Sequence, residues 1–331
     1  MGTEHDSTLM AAAIAAATGA QRLASPNPGV GAAVRTVDGQ VFTGATQPLG
    51  GNHAEVEALA AATRGGASVA GALLATTLEP CNHQGRTGPC TEAIIAAGVS
   101  RVLVGVEDPD PLVAGSGSQR LRAAGLEVTT GVMAGKVEQQ LEAYLHHRKT
   151  GRPFVTLKLA ATLDGRTAAP DGSSQWITGE QARVDVHRLR AEHDAILVGA
   201  GTVRVDDPSL TVRHVAGPDP LRVVLGHAAA WARVHPCVEL TGPLELVLEA
   251  LGKRGVVTLL VEGGATVAHS FHAASLVDRY VLYLAPALFG GADAVPLFSG
   301  AGASSIAGLW RGRIVESAML GPDIRIDLRP T

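Results

Sequence analysis

Along the first half of the chain, short apolar runs alternate with stretches whose apolar positions recur at helical spacing. Runs at 30–34 and 40–43 flank Asp38-Gly39 and predict two strands about a turn, and further strands are predicted at 72–77, 101–106 and 126–130. Helices are predicted over 53–63, stopped by Gly65-Gly66, over 90–97, ended by Gly98, and in a short stretch closing at Gly125. The alanine-rich segment 9–17 reads as a helix, because no basic residue precedes it as in a secretory signal. The β-α-β-α-β order predicts a parallel α/β layer with helices for both faces.

An amphipathic pattern over 137–149 predicts one helix that runs into Thr150-Gly151-Arg152-Pro153, where the proline forces extended chain. A domain boundary is expected there, giving domains 1–149 and 150–331. Beyond it, strands are predicted at 154–160, 195–198, 221–225 and 256–261, with helices over 179–191 and 244–253. Segments 279–284, 312–320 and 324–328 are separated by short loops at the end, so they read as antiparallel and make the second sheet mixed.

Composition narrows the partners. At 331 residues, with 46% hydrophobic and 18% charged positions, the chain is long enough for two cores and has no apolar run that could span a bilayer. A net charge of −4 without basic blocks offers nothing to a nucleic-acid backbone. No membrane partner is expected, and a cytoplasmic protein is. Three cysteines, Cys81, Cys90 and Cys237, argue against a disulfide framework. Cys237 reads as an apolar filler, whereas Cys81 and Cys90 need other chemistry.

That chemistry is suggested by His53-Ala54-Glu55, Glu79-Pro80-Cys81 and Cys90, which resemble the zinc deaminases of nucleobases. One His and two Cys leave a tetrahedral Zn2+ with an open position for water, as a catalytic rather than a structural site requires. His53, Cys81 and Cys90 are the expected metal ligands and Glu55 the expected proton carrier. The cysteines are separated by the loop Asn82-His83-Gln84-Gly85-Arg86-Thr87-Gly88-Pro89, longer than in deaminases generally. In that form the motif resembles the deaminase domain of bifunctional riboflavin-biosynthesis enzymes, as do Pro26-Asn27-Pro28-Gly29-Val30-Gly31 and Asp108-Pro109-Asp110-Pro111. The resemblance implies that Asn27, His83 and Arg86 hold the substrate. Thr46 stands where many members carry histidine, and Asp110 where many carry asparagine.

The second half resembles the reductase domain of the same enzymes through Lys158, Asp164-Gly165-Arg166, Ser174-Gln175-Trp176-Ile177-Thr178, Arg190, Gly199-Ala200-Gly201-Thr202, Asp206-Asp207-Pro208, Leu210-Thr211-Val212-Arg213 and Glu262-Gly263-Gly264. No dinucleotide-binding fingerprint of the Rossmann type is present. The implied fold class is α/β, a cytidine-deaminase-like α/β/α domain followed by a dihydrofolate-reductase-like mixed-sheet domain that uses NADPH. By the same resemblance Ala160, Trp176, Thr202, Asp206, Gly264, Ala265 and Thr266 contact the cofactor. Lys158, Ser174, Arg190, Leu210, Arg213 and Glu262 line the substrate, with Lys158, Arg190 and Arg213 able to hold a phosphate. The link 226–255 is short for the family and carries His227 where a small hydroxyl residue is common, which predicts a reduced sheet edge.

The implied function is deamination of a phosphoribosylaminopyrimidine, a small-molecule substrate, followed by reduction of its ribosyl group, in a homo-oligomer. Two other readings exist: a cytidine- or transfer-RNA-type deaminase with an unrelated appendage, and a zinc-stabilised binding protein without catalysis. Against the first stands the ordered reductase series, and against the second the retention of Glu55, which a structural site does not need.

Overall fold

A five-stranded sheet organises the first of two units, Met1–Arg152, and an eight-stranded sheet the second, Pro153–Thr331, in a computed structural model that describes residues 2–85, 87–110 and 113–331. The first unit runs α1 (Gly2–Ala16), α2 (Ala20–Ala24), β1 (Gly31–Arg35), β2 (Val41–Ala45), α3 (Ala54–Arg64), β3 (Leu73–Leu78), α4 (Cys90–Ala96), β4 (Arg101–Val106), α5 (Ser116–Ala123), β5 (Glu127–Thr130), α6 (Ala134–Gln140) and α7 (Glu142–Thr150). Its sheet order is β2-β1-β3-β4-β5.

Only β3, β4 and β5 are mutually parallel; β1 is antiparallel to both neighbours, so the expected parallel layer is mixed. The tight turn at Gly39, with φ of 90°, forces β1 and β2 to run oppositely. Helix α3 then carries the chain from β2 across the sheet to β3, which lies on the far side of β1 and must also oppose it. Gly31 and Gly44 show how the helices layer. An added carbon at Gly31 would lie 1.9 Å from the Ala13 carbonyl of α1, and one at Gly44 would lie 2.3 Å from the Ala58 nitrogen of α3. Gly44 pairs with Ala32, so the two glycines point to opposite faces and α1 and α3 cover opposite sides.

The single helix expected over 137–149 is two, meeting at Leu141. The Gln21 side-chain amide donates to the Gln140 carbonyl, and the Gln140 amide in turn donates to the Ile14 carbonyl at 2.7 Å. The Gln140 carbonyl thus takes a side-chain donor from α2 where the two helices meet.

The second unit runs β6 (Phe154–Thr162), β7 (Arg166–Ala168), α8 (Glu180–Glu192), β8 (Ala195–Gly199), α9 (Ala200–Asp206), β9 (Leu221–Leu225), β10 (Val238–Leu240), α10 (Leu244–Lys253), β11 (Thr258–Val261), α11 (Ala265–Ala273), β12 (Arg279–Ala285), β13 (Val295–Pro296), β14 (Gly312–Leu320) and β15 (Asp323–Pro330). The order β10-β9-β8-β11-β6-β12-β15-β14 is parallel throughout except at β15, which runs against both neighbours. Alternate residues of β8 feed two cores, Ala195 and Leu197 facing α10 and α11, and Ile196 and Val198 facing α8. The short link after β9 still forms the three-residue edge strand β10, and β7 pairs with β13 as a separate ribbon. Among the described residues no helix is long and apolar enough to cross a membrane.

Candidate active sites

The first site lies where β3 and β4 end and α3 and α4 begin, the carboxyl edge at which α/β sheets bind ligands. His53 is the residue before α3, and its ring Nδ1 lies 3.5 Å from Cys81 Sγ and 3.2 Å from Cys90 Sγ. Cys90 opens α4, and its backbone N–H donates to Cys81 Sγ at 3.4 Å. That hydrogen bonding, from the Cys90 thiol first and His53 next, lowers the Cys81 thiol to about 4; the shared proton pushes Cys90 up. Two sulfurs and an imidazole nitrogen form a donor set that zinc favours, and at about 2.0 Å for Zn–N and about 2.3 Å for Zn–S a tetrahedral ion spaces such donors about 3.5 Å apart. The residues fit a zinc ion, and among the described residues no fourth His, Cys, Asp or Glu joins this group.

Glu55, in the first turn of α3, is 3% exposed, and burial, reinforced by the neighbouring Cys81 thiolate, pushes its carboxyl up to about 7. It lines a cavity of 390 Å3 together with Asn27, Thr46, His53, Cys81, His83, Tyr144 and Arg148. Asn27 and His83 therefore meet the metal ligands in one pocket, whereas Arg86 lies outside the described residues.

Several residues that matter here have partners too distant in sequence to be inferred. The buried Glu79 carboxylate accepts the Ser118 N–H at 2.8 Å, the Gly115 N–H at 2.9 Å and the Asp108 N–H at 3.3 Å. It thereby ties the strand end before Cys81 to the loop after β4. Asp108 accepts the Tyr144 hydroxyl at 3.0 Å, and Arg148 packs over the Tyr144 ring at 5.1 Å. The signals in the sequence were the place of Glu79 two residues before Cys81 and the Asp108-Pro109-Asp110-Pro111 motif. Gly117 is part of the same support, since an added carbon would stand 2.0 Å from the Pro80 carbonyl oxygen. Gly117→Ala should push the Cys81 loop outward, destabilising this unit by about 1–3 kcal/mol and weakening zinc retention, measurable by thermal unfolding and metal content.

In the second unit, Arg190 on α8 grips Glu262 after β11 through two bonds, Nε to Oε1 at 2.7 Å and Nη2 to Oε2 at 2.9 Å. Burial alone would raise the Glu262 carboxyl, but the Arg190 charge and hydrogen bonds, with Lys158 nearby, outweigh it and hold it at about 2. Lys158 lies 5.8 Å from the Tyr283 ring centre, and burial lowers its ammonium below the ordinary range. Arg190 also donates to the Thr211 carbonyl at 3.3 Å, beside the buried Leu210, and Arg213 donates to Ser209 and Thr211 hydroxyls at 2.6 and 2.8 Å. Lys158, Arg190, Glu262 and the 209–213 segment are thus linked.

The candidate cofactor residues are spread over several elements of this unit. Gly264 precedes α11 without any side-chain cap, and an added carbon there would meet only Thr202 Oγ1, at 3.7 Å. The uncapped amides of Ala265 and Thr266 suit an anionic group such as a pyrophosphate. Gly199 and Gly263 have a different explanation, for both abut Val267, at 2.8 and 2.5 Å from an added carbon. Ala160 lies on β6, Asp206 ends α9, and Trp176 is 69% exposed with the Arg183 guanidinium 4.8 Å over its ring. Ser174 is half-buried in the preceding loop.

Comparison with known proteins covers both units. Residues 3–106 match the cytidine and deoxycytidylate deaminase zinc-binding region, and residues 153–326 match the RibD C-terminal domain. The riboflavin biosynthesis protein RibD of Mycobacterium tuberculosis is 44% identical over 92% of this chain and 91% of its own, and that of Escherichia coli is 38% identical over 98% and 99%. The chain belongs to the RibD family.

Solved RibD structures agree along the full length. Acinetobacter baumannii RibD superposes with a TM-score of 0.91 at 35% identity, covering 100% of both chains. A diaminohydroxyphosphoribosylaminopyrimidine deaminase/5-amino-6-(5-phosphoribosylamino)uracil reductase from Thermotoga maritima gives 0.92 at 32%, again covering 100% of each. The RibD fold is therefore shown, with a deaminase-like first unit and a reductase-like second. Thr46 is buried and its hydroxyl accepts the Val30 N–H at 3.0 Å, holding the chain that bears Asn27.

Proposed function

We propose that this chain carries out two consecutive steps of riboflavin biosynthesis: hydrolytic deamination of diaminohydroxyphosphoribosylaminopyrimidine by domain 1–149, then NADPH-dependent reduction of its ribosyl group to ribityl by domain 150–331. The observation that carries the reading is the convergence of His53, Cys81 and Cys90 on one point beside the buried Glu55, inside a pocket large enough for a pyrimidine nucleotide. Zinc, held by these three side chains, supplies a Lewis acid that makes water nucleophilic at neutral pH. Glu55 takes the proton from the attacking water and passes it to the leaving amine, which departs as ammonia. Asn27, His83 and Arg86 hold the pyrimidine and its ribose phosphate.

Arg148 joins them as a cation in the pocket wall, which Thr46 also lines. Arg148→Ala should raise KM for the phosphorylated substrate about tenfold, as expected for one lost charged hydrogen bond, with kcat little changed in steady-state ammonia release.

In the reductase domain NADPH supplies the hydride, and the protein aligns the reactants. Ala160, Trp176, Thr202, Asp206, Gly264, Ala265 and Thr266 line the cofactor, and the α11 amides meet its pyrophosphate. Glu262, fixed by Arg190, together with Lys158, Ser174, Leu210 and Arg213, lines the ribosyl phosphate. The deciding experiment incubates the full chain with the diaminopyrimidine, with and without NADPH, following ammonia and nicotinamide absorbance separately. Ammonia should appear without cofactor, and absorbance should fall only after deamination. Absorbance loss with a substrate that has not been deaminated would refute the order.

The homo-oligomer forms through β14. This edge strand, paired only with β15, leaves Ile314 59% and Met319 63% exposed, an apolar rim along an open strand edge. Ile314→Lys should shift the mass measured by light scattering to that of a monomer.

A further inference from the structure

We propose that His235, Cys237 and Glu239 form a second site for a zinc-class divalent cation, at the edge of the eight-stranded sheet. His235 and Cys237 lie in the bend that leads into β10 and Glu239 on the strand itself, and the fold brings the three side chains together. One donor atom from each lies within 4.8 Å of the others. His235 Nδ1 stands 3.5 Å from Cys237 Sγ, the same separation as between His53 and Cys81 in the first unit.

What surrounds these donors points the same way. The other ring nitrogen of His235 bonds the Ala229 carbonyl at 3.0 Å, which places the proton on Nε2 and leaves the Nδ1 lone pair facing the sulfur. Metal-binding histidines are oriented by such a bond. One oxygen of Glu239 is held by the Ala228 N–H at 3.0 Å, and the other meets His227 Nδ1 at 2.9 Å, so the carboxylate is fixed and a second imidazole stands beside it. An imidazole, a thiolate and a carboxylate make a three-donor set of intermediate softness, suited to zinc, with water to complete the tetrahedron. All three residues belong to β10 and the loop leading to it from β9, so the ion would clasp a three-residue strand that few hydrogen bonds secure.

Metal content of tag-free full-length protein, stripped with chelator and dialysed against micromolar Zn2+, tests this directly. Two zinc ions per chain are expected in the wild type and one in Cys237→Ser and in Glu239→Gln, with the deaminase rate of both variants unchanged. Cobalt added to the Cys81→Ser/Cys90→Ser double variant should still give thiolate-to-metal absorption in the near ultraviolet. A single zinc in the wild type, two retained in both edge variants, or no such absorption would overturn the proposal.

Discussion

Glu55→Gln should slow ammonia release by about 10²–10⁴-fold, the range for loss of a positioned acid–base group, while the protein keeps its zinc and still reduces substrate that has already been deaminated. Glutamine preserves the volume of a side chain only 3% exposed, so packing in the first turn of α3 is undisturbed. None of the three metal donors is altered, since Glu55 is outside the His53, Cys81 and Cys90 group. What disappears is a carboxyl able to accept and return a proton near neutrality, its affinity raised to about 7 by burial. The measurement is paired: metal content by elemental analysis, and the two half-reactions assayed separately. A variant that loses zinc would make Glu55 a support of the metal site, and one that deaminates at the normal rate would remove it from the mechanism.

The metal site was legible in the sequence because its chemistry restricts residue type: one histidine and two cysteines about a glutamate form a recognisable donor pattern, and local pattern already placed His53 and Cys90 at helix starts. The supporting residues were not legible. Glu79 holds amides 29, 36 and 39 positions away, and nothing local to Glu79 distinguishes such a carboxylate from an ordinary charged residue. Most strands were readable from apolar runs, yet strand direction in the first sheet depended on where α3 sets β3 down, a tertiary fact. At the break at Leu141 a tertiary contact enters again, a side chain from α2 donating to the Gln140 carbonyl. Glycines misled in a further way: Gly263 sits beside the expected cofactor turn, but Val267 packing suffices to require it. Cys237, read as filler, is half-buried beside His235, in a bend before a strand too short to recognise from its composition.

Glu262→Gln should be the most damaging single change in the second unit, lowering its stability by about 3–5 kcal/mol, the usual cost of removing one partner from a buried ion pair, and abolishing reduction. The side chains of Arg190 and Glu262 are 12% and 9% exposed, so little solvent is available to replace the lost charge, and Lys158 adds a second cation to the same space. The effect carries a pH signature. Glu262 titrates at about 2 in the fold against an ordinary 4.5, so the unfolded state takes up its proton first as acid is added. Its contribution, about 3 kcal/mol at about 1.4 kcal/mol per pH unit, is complete above pH 4.5 and drains away as pH falls toward 2. Denaturant unfolding of wild type should therefore show the second unit weakening across that window, and the Gln variant should show a flatter profile from a lower starting stability. Arg190→Met combined with Glu262→Gln should recover part of the loss, because it removes the stranded guanidinium, while reduction stays absent. If the single variant unfolds with the wild-type acid profile, another group sets that pH dependence and the pair is not what anchors the reductase pocket.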